Sequence, residues 1–154
     1  MGPDLCPPEG NGVVTTIVAN TDAQALAYAD AHTRLLLGNG GAGADGDADV
    51  GREAALESEA QIAEHLLGAD IVFVTAGMGG CTGSGAAAVV ARRARQAGAL
   101  VVALVTAPFG FEGRRREEAA SAAMERLRDE SDVLVQVKND RWVPCPPCHR
   151  YAQR

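Results

Sequence analysis

Apolar residues recur along the chain in short runs separated by polar, glycine-rich stretches. Val13 to Ala19 is a β-branched run that reads as a strand. It ends in Asn20-Thr21-Asp22, side chains suited to cap a helix, before a short alanine-rich helix. Arg34 to Leu37 reads as a second strand, followed by GNGGAGADGD. From Val50 to Leu67 the period is helical, with Leu56, Ala60, Ala63 and Leu67 on one face and acids on the other. Ile71 to Thr75 is a short apolar run between breakers, the pattern of a strand buried on both faces. The next helix carries Ala86, Val90, Ala94 and Ala97 on one face. Leu100 to Val105 reads as a strand, Glu117 to Arg128 as a helix with Ala120, Met124 and Leu127 inward, and Asp132 to Val137 as a last strand.

This alternation predicts an α/β fold, an open, mostly parallel sheet with helices on both faces. Residues 1–12 read as an irregular lead-in, 13–141 as the domain and 142–154 as an irregular tail. The strands open into NTD, GNGGAGAD, AGMGGCTGSG, TAPFGFEG and ND. Ligands of open parallel sheets bind beyond the C-terminal ends of the strands, so five such loops describe a nucleotide-shaped site.

Charge and composition narrow the partner. A net charge of −6 argues against nucleic acid or an anionic membrane as the main partner. No apolar run reaches the roughly 20 residues of a membrane helix, and MGPDLCPPEG lacks the segments of a signal peptide. The expected location is cytoplasmic. Lys138 is the only lysine, which excludes the lysine-bearing phosphate loop G-x-x-x-x-G-K-[ST]. His32, His65 and His149 lie in unrelated contexts, and no Ser-His-acid arrangement stands out.

GMGGCTGSG, Gly77 to Gly85, is the richest motif. A glycine-rich turn into a helix exposes backbone N–H groups at the positive end of the helix dipole, and Thr82 and Ser84 add hydroxyls. Together they could hold a diphosphate without lysine. The other reading is a tight turn that lets helix and sheet pack closely. GNGGAG matches the dinucleotide fingerprint only literally, because ADGDAD intervenes before any helix; a phosphate-contacting loop or a flexible turn fits better. Asn139-Asp140 could read a purine edge or form a polar turn. Glu112 and Arg116 could reach a ribose or base, or be surface charges. Cys145-Pro-Pro-Cys148-His149 matches the haem-attachment spacing, and with Cys6 could supply four zinc ligands, but it also reads as plain tail.

VFVTAGMGGCTGSGAA resembles the tubulin/FtsZ signature GGGTG[ST]G. The resemblance extends over ANTDAQAL, GAGAD with VGREAA, LVTAPFGFEGRRR and the closing ND-Arg, in the order and spacing of the bacterial cell-division members. It implies that Gly79, Gly80, Cys81, Thr82, Gly83, Ser84 and Gly85 hold the phosphates of GTP or GDP. It places Gly41, Ala42, Gly43, Ala44 and Asp45 near the terminal phosphate and Asn20 and Asp22 at the same site. Thr106 and Pro108 would line the pocket, Glu112 and Arg116 reach sugar and base, and Asn139 read guanine. It further implies a Mg2+-assisted GTPase of cell division and septation that polymerises head to tail, its partners being FtsZ-like subunits, either itself or full-length copies.

Three departures qualify that expectation. Cys81 stands where the signature has glycine, and cysteine tolerates positive φ poorly. The strand, glycine-rich loop and helix that precede the Val13 segment in the family are missing here; that strand would lie between Val13–Ala19 and Ile71–Thr75. Each buried backbone group left unpaired costs about 1–3 kcal/mol, against a total stability of about 5–15 kcal/mol. The flanking strands are therefore expected to pair directly, or the chain to be unstable alone. The family's central helix and its acidic catalytic loop have no counterpart after Asn139, so a domain that binds GTP without hydrolysing it alone is expected. The alternatives are an interaction protein that caps full-length filaments, or a fragment without function.

Overall fold

The computed structural model describes residues 14–41, 43 and 46–142. Five strands alternate with helices: β1 (Ile17–Asn20), α1 (Ala23–Ala27), β2 (Thr33–Leu36), α2 (Ala48–Glu57), α3 (Glu59–Leu66), β3 (Ile71–Gly77), α4 (Cys81–Gln96), β4 (Leu100–Ala107), α5 (Arg114–Glu130) and β5 (Val133–Lys138). Short 3-10 turns follow β4 and β5, at Gly110–Glu112 and Asn139–Trp142. Every strand pairing is parallel. The tail motif Cys145-Pro-Pro-Cys148-His149 and Cys6 lie outside the described residues.

The strands form two sheets, β1-β2 and β3-β4-β5. The expected direct pairing of β1 with β3 does not occur. The reason lies in the helices above. Gly51 of α2 and Gly85 of α4 bring those helices into backbone contact: a Cβ on Gly85 would lie 2.2 Å from the Ala48 carbonyl oxygen, and one on Gly51 2.5 Å from that of Cys81. This crossing fixes the spacing of the two sheets beneath it. Both sheets contribute to one core, in which Leu35 and Leu37 join Val74, Val101, Ala103, Val105 and Leu127.

Crossovers between parallel strands are right-handed. The steps β3 to β4 to β5 run in one direction across the sheet, and β1 to β2 runs in the other. The helices α4 and α5 therefore share one face with α2 and α3, and α1 takes the opposite face. Helices stand on both faces, yet among the described residues β3–β5 receives cover on only one. Val74, Val101, Ala103 and Val105 are buried under α4 and α5, whereas Ile71, Phe73, Leu100, Leu104, Val133 and Val135 are exposed. The expectation that Ile71–Thr75 is buried on both faces is thus corrected: Phe73 is 63% exposed.

The helix expected over 50–67 is two helices, broken at Ser58 (φ −93°, ψ 12°). The buried Ser58 hydroxyl accepts the Gly38 N–H at 2.8 Å, anchoring the loop after β2. The buried stripe runs through Ser58 one residue earlier than the expected one. Gly51, Ala55, Ile62 and Leu66 face the core, and Ala60 and Leu67 are exposed. Glu59 at the start of α3 pairs with Arg92 and Arg93 of α4.

Candidate functional site

The polar loops gather at the C-terminal ends of the strands, around the reversal of strand order between β1 and β3. Such a switch point is where open α/β sheets bind ligands. The C-terminal end of β1 is joined to the start of α4 by side chains. The Thr21 hydroxyl meets that of Thr82 at 2.7 Å, and the Thr82 hydroxyl donates to Asn20 Oδ1 at 3.5 Å. Asn20 Oδ1 also accepts the Asp22 N–H, and Asp22 caps α1 by accepting from Gln24 and Ala25 N–H. Thr21 was not singled out from the sequence; its hydroxyl contact spans 61 residues, a pairing no local pattern reveals.

The loop after β2 folds back onto this corner. The Ala23 N–H donates to the Gly41 carbonyl and the Gly43 N–H to the Thr21 carbonyl, both at 3.1 Å. Gly41 and Gly43 hold φ of 63° and 87°, which their lack of Cβ permits. Ala42, Ala44 and Asp45 lie outside the described residues. Beneath the loop is a cavity of about 180 Å³ lined by Thr21, Asn39, Gly41, Val50 and Glu53. It is smaller than the roughly 300–1,000 Å³ of small-molecule pockets; a second cavity of about 310 Å³, on the β4–β5 side, is lined by Pro108, Phe109, Glu117, Lys138 and Asp140.

The glycines of GMGGCTGSG have different reasons to be glycine. Gly79 turns the chain with φ 93°, against the Arg116 carbonyl and Pro108. A Cβ on Gly83 would lie 2.4 Å from the Gly77 carbonyl, and Gly85 is held against α2. These two serve close packing. Gly80 is the N-cap of α4, makes no side-chain cap, and would place a Cβ in open space. No side chain of the N-cap residue caps this 16-residue helix, whose first N–H groups lie at the positive end of its dipole. Ser84, by contrast, is buried, and its hydroxyl accepts the Gly79 N–H at 2.8 Å. It shapes the turn.

Cys81 is the first residue of α4 and is helical, so it needs no left-handed backbone; the anticipated distortion is absent. Partial burial pushes its thiol pKa up. The N–H groups of Gly46, Thr82 and Cys81 itself and the Thr82 hydroxyl outweigh that, and the net effect is a lowered value.

On the far side, the Met78 N–H donates to the Thr106 carbonyl at 2.9 Å, tying the loop to β4. Pro108 packs beside Gly79. Glu112 and Arg116 are paired with each other. The Glu112 carboxylate also accepts the Phe109 N–H at 2.8 Å, and these bonds, that from Phe109 first, lower its pKa. Asn139 opens the turn after β5, and Asp140 beside it accepts the Gly110 N–H at 3.1 Å. The structure thus brings together Asn20, Asp22, Gly41, Gly43, Gly79, Gly80, Cys81, Thr82 and Pro108. Thr106, Glu112, Arg116 and Asn139 line the adjoining β4–β5 side. Among the described residues, no three His, Cys, Asp or Glu side chains converge as a metal site.

Residues 8–145 match the Tubulin/FtsZ family, GTPase domain. The chain belongs to that family. It is 49% identical over 136 residues to the cell division protein FtsZ of Haloferax mediterranei, covering 86% of this chain and 36% of the relative. It is 51% identical over 129 residues to cell division protein FtsZ 2 of Rhizobium meliloti, covering 82% and 37%. The chain therefore spans about a third of the length of these relatives, which come from archaea as well as bacteria.

Solved tubulin/FtsZ-family structures share the fold. An empty FtsZ dimer from M. jannaschii superposes with a TM-score of 0.83 at 41% identity, covering 87% of this chain and 41% of that one. CetZ2 of Haloferax volcanii, solved as a GTPgS-bound protofilament, gives 0.77 at 27% identity, covering 86% and 42%. Among the described residues, no helix is long and apolar enough to cross a membrane.

Proposed function

We propose that this chain is the guanine-nucleotide-binding part of an FtsZ-like cell-division protein. The observation that carries the reading is the uncapped start of α4 at Gly80, with open space above it and the Thr82 hydroxyl beside it. Oriented N–H groups at a helix start favour phosphate oxygens, and no lysine is needed. The nucleotide found in the CetZ2 protofilament supports the same ligand class. Glu112, Arg116 and Asn139 stand on the side where a sugar and base would extend. By the family resemblance, the stretch Gly41, Ala42, Gly43, Ala44 and Asp45 would contact a terminal phosphate. Mg2+ would enter on the phosphates, because divalent magnesium is commonly held by phosphate oxygens and water.

Binding without hydrolysis is the activity proposed for these 154 residues by themselves. Among the described residues Asp22 caps α1, Asp47 caps α2 and Glu112 pairs with Arg116, which leaves Glu53 as a carboxylate at the cavity beneath the loop. Calorimetric titration of GTP and GDP with Mg2+ should show saturable binding to one site. No heat with either nucleotide removes the proposal, and phosphate release by the chain alone removes its second half. The proposed partner is another FtsZ-like subunit, reached through the loop end of the sheet; the M. jannaschii dimer and the CetZ2 protofilament support self-association. Shortened full-length FtsZ filaments at sub-stoichiometric chain, read by sedimentation, test this, and unchanged filaments at equimolar chain remove it.

A further inference from the structure

We infer that Ser58 is a positioning residue for the loop after β2, and that its hydroxyl sets how much more tightly the site holds a nucleoside triphosphate than a diphosphate. The inference rests on the guanine-nucleotide reading above. Gly38 opens the loop, and its N–H donates to the Ser58 hydroxyl at 2.8 Å across 20 residues of sequence. Ser58 is only 7% exposed, so water has little access to the bond. Gly38 is itself pressed against α2. It holds φ 73°, and a Cβ there would lie 2.9 Å from that of Ala54. One residue on, the Asn39 amide donates to Glu57 Oε2 at 3.2 Å, an exposed contact on the same helix.

Ser58 is a fixed post. It is the joint between α2 and α3: its N–H bonds the Ala54 carbonyl, and its own carbonyl accepts the Ile62 N–H. Both helices are locked to α4. Gly51 and Gly85 hold α2 in backbone contact with it, and Glu59, the first residue of α3, pairs with Arg92 and Arg93. The Ser58 hydroxyl therefore has one position relative to α4, whose start is the proposed phosphate site. The loop's other two anchors are backbone groups, the Ala23 N–H on the Gly41 carbonyl and the Gly43 N–H on the Thr21 carbonyl. Among the described residues, Ser58 is the buried side chain that ties this loop to the helices.

The consequence differs between ligands. On the nucleotide reading, the first two phosphates lie at the start of α4 and a third reaches toward Gly41 and Gly43. A loop held in place beforehand meets the third phosphate at little ordering cost. A loop released at Gly38 has to be ordered by the ligand, and that cost is subtracted from its affinity. The loss falls on the triphosphate, because a diphosphate does not reach the loop. Were Ser58 needed only for the fold, its removal would change both affinities alike or neither. What the loop needs is the hydroxyl oxygen, since a methyl group in its place accepts no hydrogen bond.

The test is calorimetric titration of the whole 154-residue chain with GDP and with GTPγS, both with Mg2+, in the parent, Ser58→Ala and Ser58→Thr. In the alanine variant the Kd for GTPγS should rise about tenfold while that for GDP stays within about twofold. The threonine variant keeps the oxygen and should return the ratio of the two affinities to within about twofold of the parent. Hydrogen exchange at the Gly38 amide should be about tenfold faster or more in the alanine variant, which frees that N–H. If Ser58→Ala does not fold, Ser58→Cys keeps the volume with a weaker acceptor, and its ratio should fall by about threefold or more. Equal losses for the two nucleotides overturn the inference, as does a lowered melting temperature with an unchanged ratio; Ser58 then serves the fold alone. A threonine ratio as low as that of alanine overturns it too. Each of these outcomes leaves nucleotide binding standing. A parent chain that binds neither nucleotide overturns this inference together with the reading beneath it.

Discussion

The hydroxyls of Thr21 and Thr82 meet at 2.7 Å, joining the loop after β1 to the first turn of α4. Thr21 is only 4% exposed, so its hydroxyl depends on this partner. Thr82→Val keeps the shape and removes the oxygen. It should lower stability by about 1–3 kcal/mol, the cost of leaving a buried polar group unpaired. Thr82→Ser should retain most of it. Urea denaturation of the three proteins checks this, and equal midpoints for the valine and serine variants would count against it. If the start of α4 holds phosphate, GDP affinity should fall in the valine variant as well.

Gly80 and Gly85 offer a sharper separation of packing from binding. At Gly85 a methyl would lie 2.2 Å from the Ala48 carbonyl and 2.5 Å from the Arg52 N. Backbone must move, and Gly85→Ala should cost at least the 1–3 kcal/mol or so of an overpacked core. At Gly80 the methyl meets nothing and φ is −94°. Gly80→Ala should leave the melting curve nearly unchanged and weaken GDP about tenfold or more, roughly 1.4 kcal/mol. Loss of stability with unchanged affinity at Gly80 would contradict the proposed role.

The elements were legible because each apolar run is bounded by loop residues, and β2, β4 and β5 begin within a residue of where the pattern puts them. The motif residues were legible through the family signature. The bare sheet face was not. In IVFV the exposed Ile71 and Phe73 are as apolar as the inward Val72 and Val74, so no alternation marks the uncovered side. Nor could the sequence sort its glycines. What makes Gly85 indispensable is Ala48, and what makes Gly83 so is Gly77, whereas Gly80 differs only in having nothing near it. The break at Ser58 was hidden because serine is an ordinary helix residue until the Gly38 N–H claims its hydroxyl.

Glu112 gives a pH signature. Its carboxyl lies below the ordinary 4.5, held there by the Phe109 N–H and then by Arg116. A group whose folded pKa is lowered contributes stability above its unfolded value, and that contribution is lost as pH falls through the folded value. Glu112→Gln should therefore be less stable than the parent at neutral pH, with the difference shrinking as pH drops below about 4.5. Melting temperatures of both proteins from pH 7 to 3 read it out; a gap that persists undiminished to the acid limit would show that the charge is not what matters.

Cys81 makes the last prediction, because its thiol occupies the corner where the phosphates are proposed to lie. It is free and half-buried. Burial alone would raise its pKa, but the Gly46, Thr82 and Cys81 N–H groups and the Thr82 hydroxyl favour the thiolate and bring it lower. A thiolate stabilised at a helix start reacts at lower pH than free cysteine. The rate of iodoacetamide alkylation, followed at Cys81 by peptide mapping, should rise with pH through an inflection below that of free cysteine in the same buffer. Thr82→Val removes one of the donors and should move the inflection upward. Bound GDP would cover the same N–H groups, so saturating nucleotide should slow the reaction several-fold in the parent and by less in Gly80→Ala. Alkylation that ignores nucleotide, in a chain shown by calorimetry to bind it, would place the phosphates elsewhere than the first turn of α4.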